Sequence, residues 1–315
     1  MSLHAETNHL PIAIIVVGYD GAPWLPPLLK TLKESVRTVD HLLVIDNGGN
    51  EDSIPSEFPE CNYTVLHAPR RMGFCDANNF ALEQLPPCEL VCFLNQDVVV
   101  DREWLNSIIN VFEENPTIGA ASPVHMTYDF RSINPNFRAT LRPSRLTMKR
   151  RCEGKNLFFS CDNLIAAAMF VRRSVLKKVG GFDPIFGSYY EDFDLCRRIR
   201  ESGFSTVVVP TSVVAHFDGS ATRSIAAIRK RERQVLRNSA ILSVRSSHSR
   251  ITALIKIMSV NFPRRLFRAL LRRSGSKHWT SVILAYADLF RVSPRVVSGT
   301  VDNYFSKKAW SKITR

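Results

Sequence analysis

An α/β domain on a mainly parallel sheet with helices on both faces, followed by a basic helical extension, is the fold class this sequence predicts. Three observations predict it. Short β-branched runs alternate with amphipathic stretches through the front half. The first and fourth of those runs show almost no polar alternation, the mark of strands covered on both faces. Basic residues crowd the rear of the chain.

In order, Ile12 to Val17, His41 to Asp46, Tyr63 to His67 and Leu90 to Asn95 read as strands. Helices fall between and after them. Trp24 to Val36 places Trp24, Leu25, Leu28, Leu29 and Leu32 on one stripe, Asp76 to Leu85 follows a glycine, and Trp104 to Phe112 ends before Asn115-Pro116. Met126 to Ser160 loses this rhythm, with eight basic residues against two acidic ones. It reads as a long irregular excursion of the kind that forms lids, with a hidden hairpin as the alternative. Regularity then returns: Leu164 to Val171 reads as a buried strand, Ser174 to Val179 as a short helix ended by Gly180-Gly181, and Glu191 to Ser202 as a helix ended by Gly203. Thr206 to Val209 reads as a strand stopped by Pro210, and the rest as helix with breaks near Pro263, Ser274-Gly275 and Pro294.

The chain has 315 residues, 45% hydrophobic and 23% charged, which suffices for a large core and excludes disorder of the whole. No apolar run reaches the ~18 residues of a membrane span, and Met1 to Leu10 carries Glu6 without an apolar core, so neither a span nor a signal peptide is expected. A cytoplasmic location follows as the expectation. Seven cysteines without a CxxC pair read as reduced thiols. The net charge of +13 is unevenly placed: from Ala221 onward 21 basic residues face only Glu232, Asp288 and Asp302. This divides the chain into 1–220, a catalytic or binding domain, and 221–315, a basic helical region suited to an anionic surface, either phospholipid or nucleic acid.

Open parallel sheets bind ligands at the carboxyl edges of their strands. Four edges here end in functional residues: Gly18-Tyr19-Asp20-Gly21, Asp46-Asn47-Gly48-Gly49, Arg70-Arg71-Met72-Gly73-Phe74 and Asn95-Gln96-Asp97. Each alone is an ordinary turn sequence, and no GxGxxG or Walker loop occurs. Together they suit a nucleotide base and ribose without a glycine cradle for phosphate. A cation on Asp97 would supply the missing positive charge, with His216 as its second ligand; singly, Asp97 reads equally as a helix cap and His216 as a core histidine. Glu191-Asp192-Phe193-Asp194 opens a helix, where the dipole favours acids. Three acids in four residues exceed that need, which makes Asp192 and Glu191 candidates for a general base.

The ordered set Val44-Ile45-Asp46-Asn47-Gly48, Met72-Gly73-Phe74 through Asn79, Leu94-Asn95-Gln96-Asp97, Gly180-Gly181-Phe182-Asp183, Glu191-Asp192-Phe193-Asp194 and His216 resembles the inverting glycosyltransferases of family 2, in their rhamnosyltransferase-like branch. The resemblance covers about Pro11 to Ala240. It implies a GT-A fold, Rossmann-like in layout, with a donor-binding half at 11–125 and an acceptor half at 126–220. It implies a nucleotide-sugar donor, dTDP-rhamnose or a UDP-sugar, and a divalent ion, Mg²⁺ or Mn²⁺. By position Gly18, Tyr19, Asp46, Gly73, Asn78, Asn95 and Asp97 belong to the donor site, with Arg237 added from Leu236-Arg237-Asn238. Asn95 stands where many members carry Asp, so the metal site would rest on Asp97 and His216. Asp192 matches the catalytic base. The Gln-x-x-Arg-Trp motif of processive members is absent, which points to transfer of a single sugar.

The stretch Phe262 to Arg273 mixes arginines with Leu266, Phe267, Leu270 and Leu271 at helical spacing, as an interfacial helix does. It suits an anionic membrane at the inner face of the plasma membrane, where a polyprenyl-diphosphate-linked acceptor or another glycan would be extended. The alternatives are packing on the catalytic domain and a homo-oligomer contact. A nucleic-acid binder ranks below these, because no recognition motif accompanies the charge and the front of the chain is acidic. A domain that has lost activity and only binds a partner ranks low too, given Asp97, Glu191, Asp192 and His216.

Overall fold

The computed structural model describes residues 10–49, 52–141, 157–217, 224–271 and 278–299. The chain begins with β1 (Ile12–Gly18), α1 (Leu25–Lys33), β2 (His41–Asp46), β3 (Asn62–His67), α2 (Phe74–Glu83) and β4 (Leu90–Asn95). Prolines in the first turn of α1 cost no hydrogen bond there, since those amides have no partner within the helix. The predicted stripe Leu25, Leu28, Leu29, Leu32 is buried, while Trp24 caps the helix rather than opening it. Then follow β5 (Val98–Val100), α3 (Trp104–Glu114), β6 (Ile118–Met126), α4 (Pro135–Thr140), β7 (Phe159–Ser160), β8 (Ala168–Arg172), α5 (Arg173–Val179), α6 (Glu191–Glu201) and β9 (Ser205–His216).

Among the described residues one sheet runs in the order β3-β2-β1-β4-β8-β6-β9-β5, with β7 also on β9. The first four strands are parallel, as predicted; β8 is antiparallel to β4 and to β6, and β6 and β9 are parallel again. Hydrophobic cores lie on both faces. Ala13, Ile15 and Phe93 enter one, and Ile12, Ile14 and Val16 enter the other, by the alternation of a strand. Phe93 packs on Phe182 at 4.6 Å between ring centres; truncating so buried a ring costs about 3–5 kcal/mol.

Several expected boundaries differ. β9 does not stop at Pro210. Its ladder with β6 slips between Pro123/Val209 and Val124/Val213, so the ring that cannot donate sits in a bulge and the strand carries on to His216. Of Leu164 to Val171 only the part from Ala168 is strand, because Leu164 to Ala167 turns at the sheet edge. The excursion at 126–160 holds α4, β7 and a bridge between Met126 and Ile133, while 142–156 lie outside the described residues.

The rear of the chain forms α7 (Ile225–Arg245), α8 (Arg250–Lys256), a π-helical turn (Ile257–Asn261), α9 (Phe262–Leu271) and α10 (His278–Ser298). The α-helical pattern is interrupted near Pro263 by the π-helical turn that ends just before it, whereas no break occurs at Pro294, which lies inside α10; Ser274-Gly275 lies outside the described residues. The division at 220 follows the charge, yet packing runs across it. Ile241, Val244, Ala285 and Leu289 share a core with β1 and β4. Arg245, buried at the end of α7, pairs with Asp183 at 2.5 Å and Asp194 at 3.7 Å. Arg233 of α7 meets both carboxylate oxygens of Asp288 on α10, at 2.6 and 2.7 Å. The outward side of α8 to α10 mixes large apolar with basic residues: Ile251, Ile255, Phe267, Leu270, Leu271, Ile283, Leu284 and Phe290 are exposed beside Arg264, Arg265 and Arg268.

Candidate active site

Parallel pairing brings Gly18, Asp46 and Asn95 to one edge of the sheet, and the register continues this edge to Met126 and His216. β8 enters from the same edge, with Ala168 opposite Leu94. Every side chain singled out on a strand therefore lies where a doubly wound sheet opens a crevice.

On the donor side, Gln96 clasps Tyr19: its Oε1 accepts from the Tyr19 N–H at 2.9 Å and its Nε2 donates to the Tyr19 carbonyl at 2.7 Å. Asn47 clasps Met72 in the same way, at 2.8 and 3.0 Å. These side-chain amides replace a missing ladder between strand tips, fixing the loops that line the crevice. The Arg71 guanidinium lies 3.9 Å from the centre of the Tyr19 ring. Asp46 accepts from the Gly48 N–H at 3.1 Å and lies 3.2 Å from His67 Nδ1. Gly18 accepts from the Asn47 N–H at 2.9 Å, and Gly73 precedes the first turn of α2. Asn78 is 2% exposed and donates to the Phe74 carbonyl at 2.9 Å, so its amide faces its own helix. Its neighbour Asn79 bonds both the N–H and the carbonyl of Phe182, at 2.9 and 2.7 Å.

Asp97 and His216 meet: Oδ1 lies 3.4 Å from Nε2, and both residues are buried. The pairing follows from β5, which turns back along β9 so that Val98 opposes His216 and the Phe217 N–H donates to the Asp97 carbonyl at 3.0 Å. Behind them His125 stacks on Phe137 at 4.8 Å and meets His216 edge-on at 6.0 Å. Burial pushes the His125 imidazole down to about 3, so it stays neutral. Among the described residues no group of three or more His, Cys, Asp or Glu is arranged to hold a metal ion. One carboxylate and one imidazole fit a cation completed by phosphate oxygens and water, and do not fit a closed protein cage.

The acid pair opens α6. Tyr189 and Tyr190 both sit at φ near +70°, a region non-glycine residues rarely adopt, at about 1–3 kcal/mol each. The strain is held by α7. Asn238 Nδ2 lies 2.8 Å from the carbonyls of Phe186, Ser188 and Tyr189, and Arg237 Nη2 donates to the Ile185 carbonyl at 2.7 Å. The structure thus uses Arg237 to hold this loop, and burial lowers its basicity. Asp192 Oδ2 accepts from the Ala166 N–H at 3.3 Å. Removal from water pushes its carboxyl up to about 6. Glu191 is more deeply buried, and desolvation with the neighbouring Asp192 charge raises it well above the usual carboxylate range.

One turn joins the two centres. Ala166 donates to Asp192, and the next residue, Ala167, accepts from the Asn95 N–H at 2.9 Å. The Ala166-Ala167 turn therefore ties the start of α6, with Asp192, to the strand edge that carries Gly18, Asp46, Asn95 and His216, while Asn78 and Arg237 face inward. The sequence reading passed over Gln96, Asn47, Asn79 and Asn238 as actors, although all sit inside or beside its motifs. Their signal was an amide next to a motif residue, and its meaning depends on backbone partners between 25 and 103 residues away. Trp24, Tyr128 and Phe217 also cluster beside Asp97, with Trp24 and Phe217 at 4.3 Å.

This sheet, with its ligand edge and its helical extension, is that of the GT-A glycosyltransferases. The mannosyltransferase PcManGT from Pyrobaculum calidifontis, solved with GDP-Man and Mn²⁺, superposes with a TM-score of 0.58 at 18% identity, over 90% of this chain and 88% of that one. S. aureus TarS 1-349 in complex with UDP-GlcNAc gives 0.58 at 15% identity, over 96% and 92%. Residues 90–293 match the profile of glycosyl transferase family group 2, and the chain belongs to that family. It is 29% identical over 212 residues to the pre-mycofactocin glycosyltransferase of Mycobacterium tuberculosis, covering 66% of this chain but only 43% of that protein. It is 24% identical over 253 residues to the N-acetylglucosaminyl-diphospho-decaprenol L-rhamnosyltransferase of the same organism, covering 69% and 78%. The chain thus spans less than half the length of the first of these two relatives.

Proposed function

We propose that the chain is an inverting, metal-assisted transferase that moves one sugar, L-rhamnose from dTDP-rhamnose, onto a glycan or polyprenyl-diphosphate-linked acceptor during cell-surface polysaccharide synthesis. The observation that carries this is the short path from Asp192 through Ala166-Ala167 to Asn95 and Asp97. On this reading the raised carboxylate of Asp192 faces the Asp97–His216 pair across the bound sugar. The rhamnosyltransferases among the relatives support the sugar, including the O-antigen chain rhamnosyltransferase RfbN of Salmonella typhimurium. UDP-hexose or UDP-galactofuranose is the second reading, since a neighbour of the same fold takes UDP-GlcNAc.

Each residue has a physical task. Tyr19, held by Gln96, and Asp46, held by Gly48, would line the base and ribose. Asp97 and His216 would hold the divalent ion, which when bound offsets the charge of the leaving diphosphate. Asp192 takes the proton from the acceptor hydroxyl as that oxygen attacks the anomeric carbon from the face opposite the phosphate. A carboxyl raised to about 6 is ionised at neutral pH and more basic than an ordinary aspartate. Burial and the Asp192 charge raise Glu191 well above the usual carboxylate range, which favours its neutral form and limits the repulsion a second charge would add.

For location, no helix among the described residues is long and apolar enough to cross a membrane. The outer side of α8 to α10, where large apolar residues lie beside exposed Arg264, Arg265 and Arg268, supports peripheral contact with an anionic bilayer.

The test is a thermal-shift panel of dTDP, UDP and GDP, each with Mn²⁺, Mg²⁺ or EDTA, because a ligand that binds only the folded state raises its melting temperature. We expect the largest shift from dTDP with metal, its loss in Asp97→Ala, and an undiminished shift in Asp192→Asn. A metal-dependent shift that survives Asp97→Ala overturns the metal assignment. Sugar transfer by Asp192→Asn at the wild-type rate overturns the base.

A further inference from the structure

Three rings from distant parts of the chain meet at the end of the ligand edge opposite Asp46. Trp24 caps α1, Tyr128 follows β6 and Phe217 follows β9. Trp24 lies 4.3 Å from Phe217, centre to centre, and Tyr128 stands edge-on to both, at 6.2 and 5.8 Å. Each ring sits on an anchored backbone. The Val100 N–H donates to Thr31 Oγ1 at 3.2 Å, which ties α1 to β5, and the Phe217 N–H donates to the Asp97 carbonyl at 3.0 Å. Tyr128 rides on a loop closed by the Thr127 N–H, which donates to the Ser132 carbonyl at 2.7 Å, and by the Phe130 N–H, which donates to the Thr127 carbonyl at 2.8 Å. That loop holds Phe130 at φ 57°, a conformation that side-chain-bearing residues rarely adopt.

The rings are held in place but not covered. Phe217 is 45% exposed, and Trp24 and Tyr128 are half-buried. Among the described residues neither the Trp24 indole N–H nor the Tyr128 hydroxyl has a hydrogen-bond partner. A contiguous aromatic patch with a polar rim, here exposed Asp129 and Arg131, marks a ligand surface where it adjoins a binding crevice. Its chemistry is double, apolar ring faces beside two polar tips. A pyranose matches it, with C–H bonds across one face and hydroxyls around the rim. An alkyl tail would leave the N–H and the O–H without partners. Along the sheet Asp46 stands on β2, Asn95 on β4 and His216 on β9. With the base at Asp46 and the cation at Asp97 and His216, the rings lie past the cation, on the side away from the base.

We infer that Trp24, Tyr128 and Phe217 form a stacking platform for a pyranose ring of the acceptor. The inference deepens the proposed function and rests on its placing of base and cation. It gives the acceptor's sugar its own recognition surface, built from the tip of α1 and the ends of β6 and β9. The platform reads the saccharide itself, so it serves a soluble glycan and a lipid-linked one alike.

The test is titration of the whole protein with methyl β-D-glucopyranoside, methyl β-D-galactopyranoside and methyl α-L-rhamnopyranoside, followed by saturation-transfer NMR, with farnesol as the apolar comparison. We expect saturable binding of at least one glycoside, weakened about threefold or more in Phe217→Ala, where a stacking face is lost. Tyr128→Phe keeps the packing and removes only the hydroxyl, and should weaken the same glycoside about threefold. The ligand-free melting temperature and the nucleotide-plus-metal shift should keep their wild-type values in both variants. No saturable glycoside binding, or equal binding in wild type and Phe217→Ala, overturns the platform. So does farnesol that binds more tightly than every glycoside and depends on Phe217, since the rings would then receive a lipid. A glycoside displaced by dTDP-rhamnose with Mn²⁺ but not by dTDP with Mn²⁺ overturns the acceptor assignment, because the ring seated there would be the donor's. If nucleotides give no shift while Phe217-dependent glycoside binding persists, the transferase reading fails and the platform stands.

Discussion

Gln96 holds Tyr19 by both edges of its backbone, accepting at 2.9 Å and donating at 2.7 Å across 77 residues of sequence. The tip of β4 is thereby locked to the tip of β1, directly beside Asp97. Gln96→Leu leaves a part-buried N–H and a carbonyl without partners, at about 1–3 kcal/mol. We expect a lowered urea midpoint and a smaller nucleotide-dependent thermal shift. An unchanged shift would show that Tyr19 stays in place without the clasp.

Asn238 converges on three loop carbonyls at 2.8 Å each. In Asn238→Asp the donor becomes an acceptor facing acceptors, and the loop before Glu191 loses its hold. The expected result is a loss of transfer of about 10-fold or more with most of the nucleotide shift retained, since Asn238 grips Phe186, Ser188 and Tyr189 while the loop meets the donor segment at Gly187, whose carbonyl accepts from the Cys75 N–H at 3.1 Å. A parallel loss of nucleotide binding would mean that the loop reaches the donor.

Arg245 is the cation of a buried cluster with Asp183 and Asp194. Arg245→Met leaves Asp183 without that partner, while Asp194 keeps Arg197 and Arg198. Breaking a buried pair from one side costs about 3–5 kcal/mol, read from urea unfolding. Adding Asp183→Asn to that variant should recover part of the loss, because the uncompensated charge is then gone.

Asp192 sets the pH response. Its folded-state value, about 6, lies above that of an unfolded aspartate. Two consequences follow from that sign. Transfer should fall as pH drops through about 6, when the base is protonated. The stability that the protonated form contributes is complete below the unfolded value and is lost as pH rises through about 6. Asp192→Asn should therefore lose less melting temperature than the wild type between pH 5 and 8. Glu191, shifted in the same direction, keeps the variant's slope from vanishing. An identical slope in both proteins would place the titrating group elsewhere.

The sequence by itself determined the parallel half of the sheet and its ligand edge. Strands such as Leu90–Asn95 are local objects, readable from β-branched composition and from the polar residues that end them. Asp97, His216 and Asp192 were legible for the same reason, each being a charged or titratable side chain at the end of an apolar run or the start of a helix. Only the tertiary structure decided the antiparallel half and the passage of β9 through Pro210, because a proline ends a strand unless a bulge in its neighbour's ladder absorbs it. It likewise decided that Arg237 on α7 holds a loop, that Asn78 faces its own helix, and that Gln96 and Asn238 matter. The energy of an amide comes from which distant backbone groups it meets, and those partners exist only once the chain has folded.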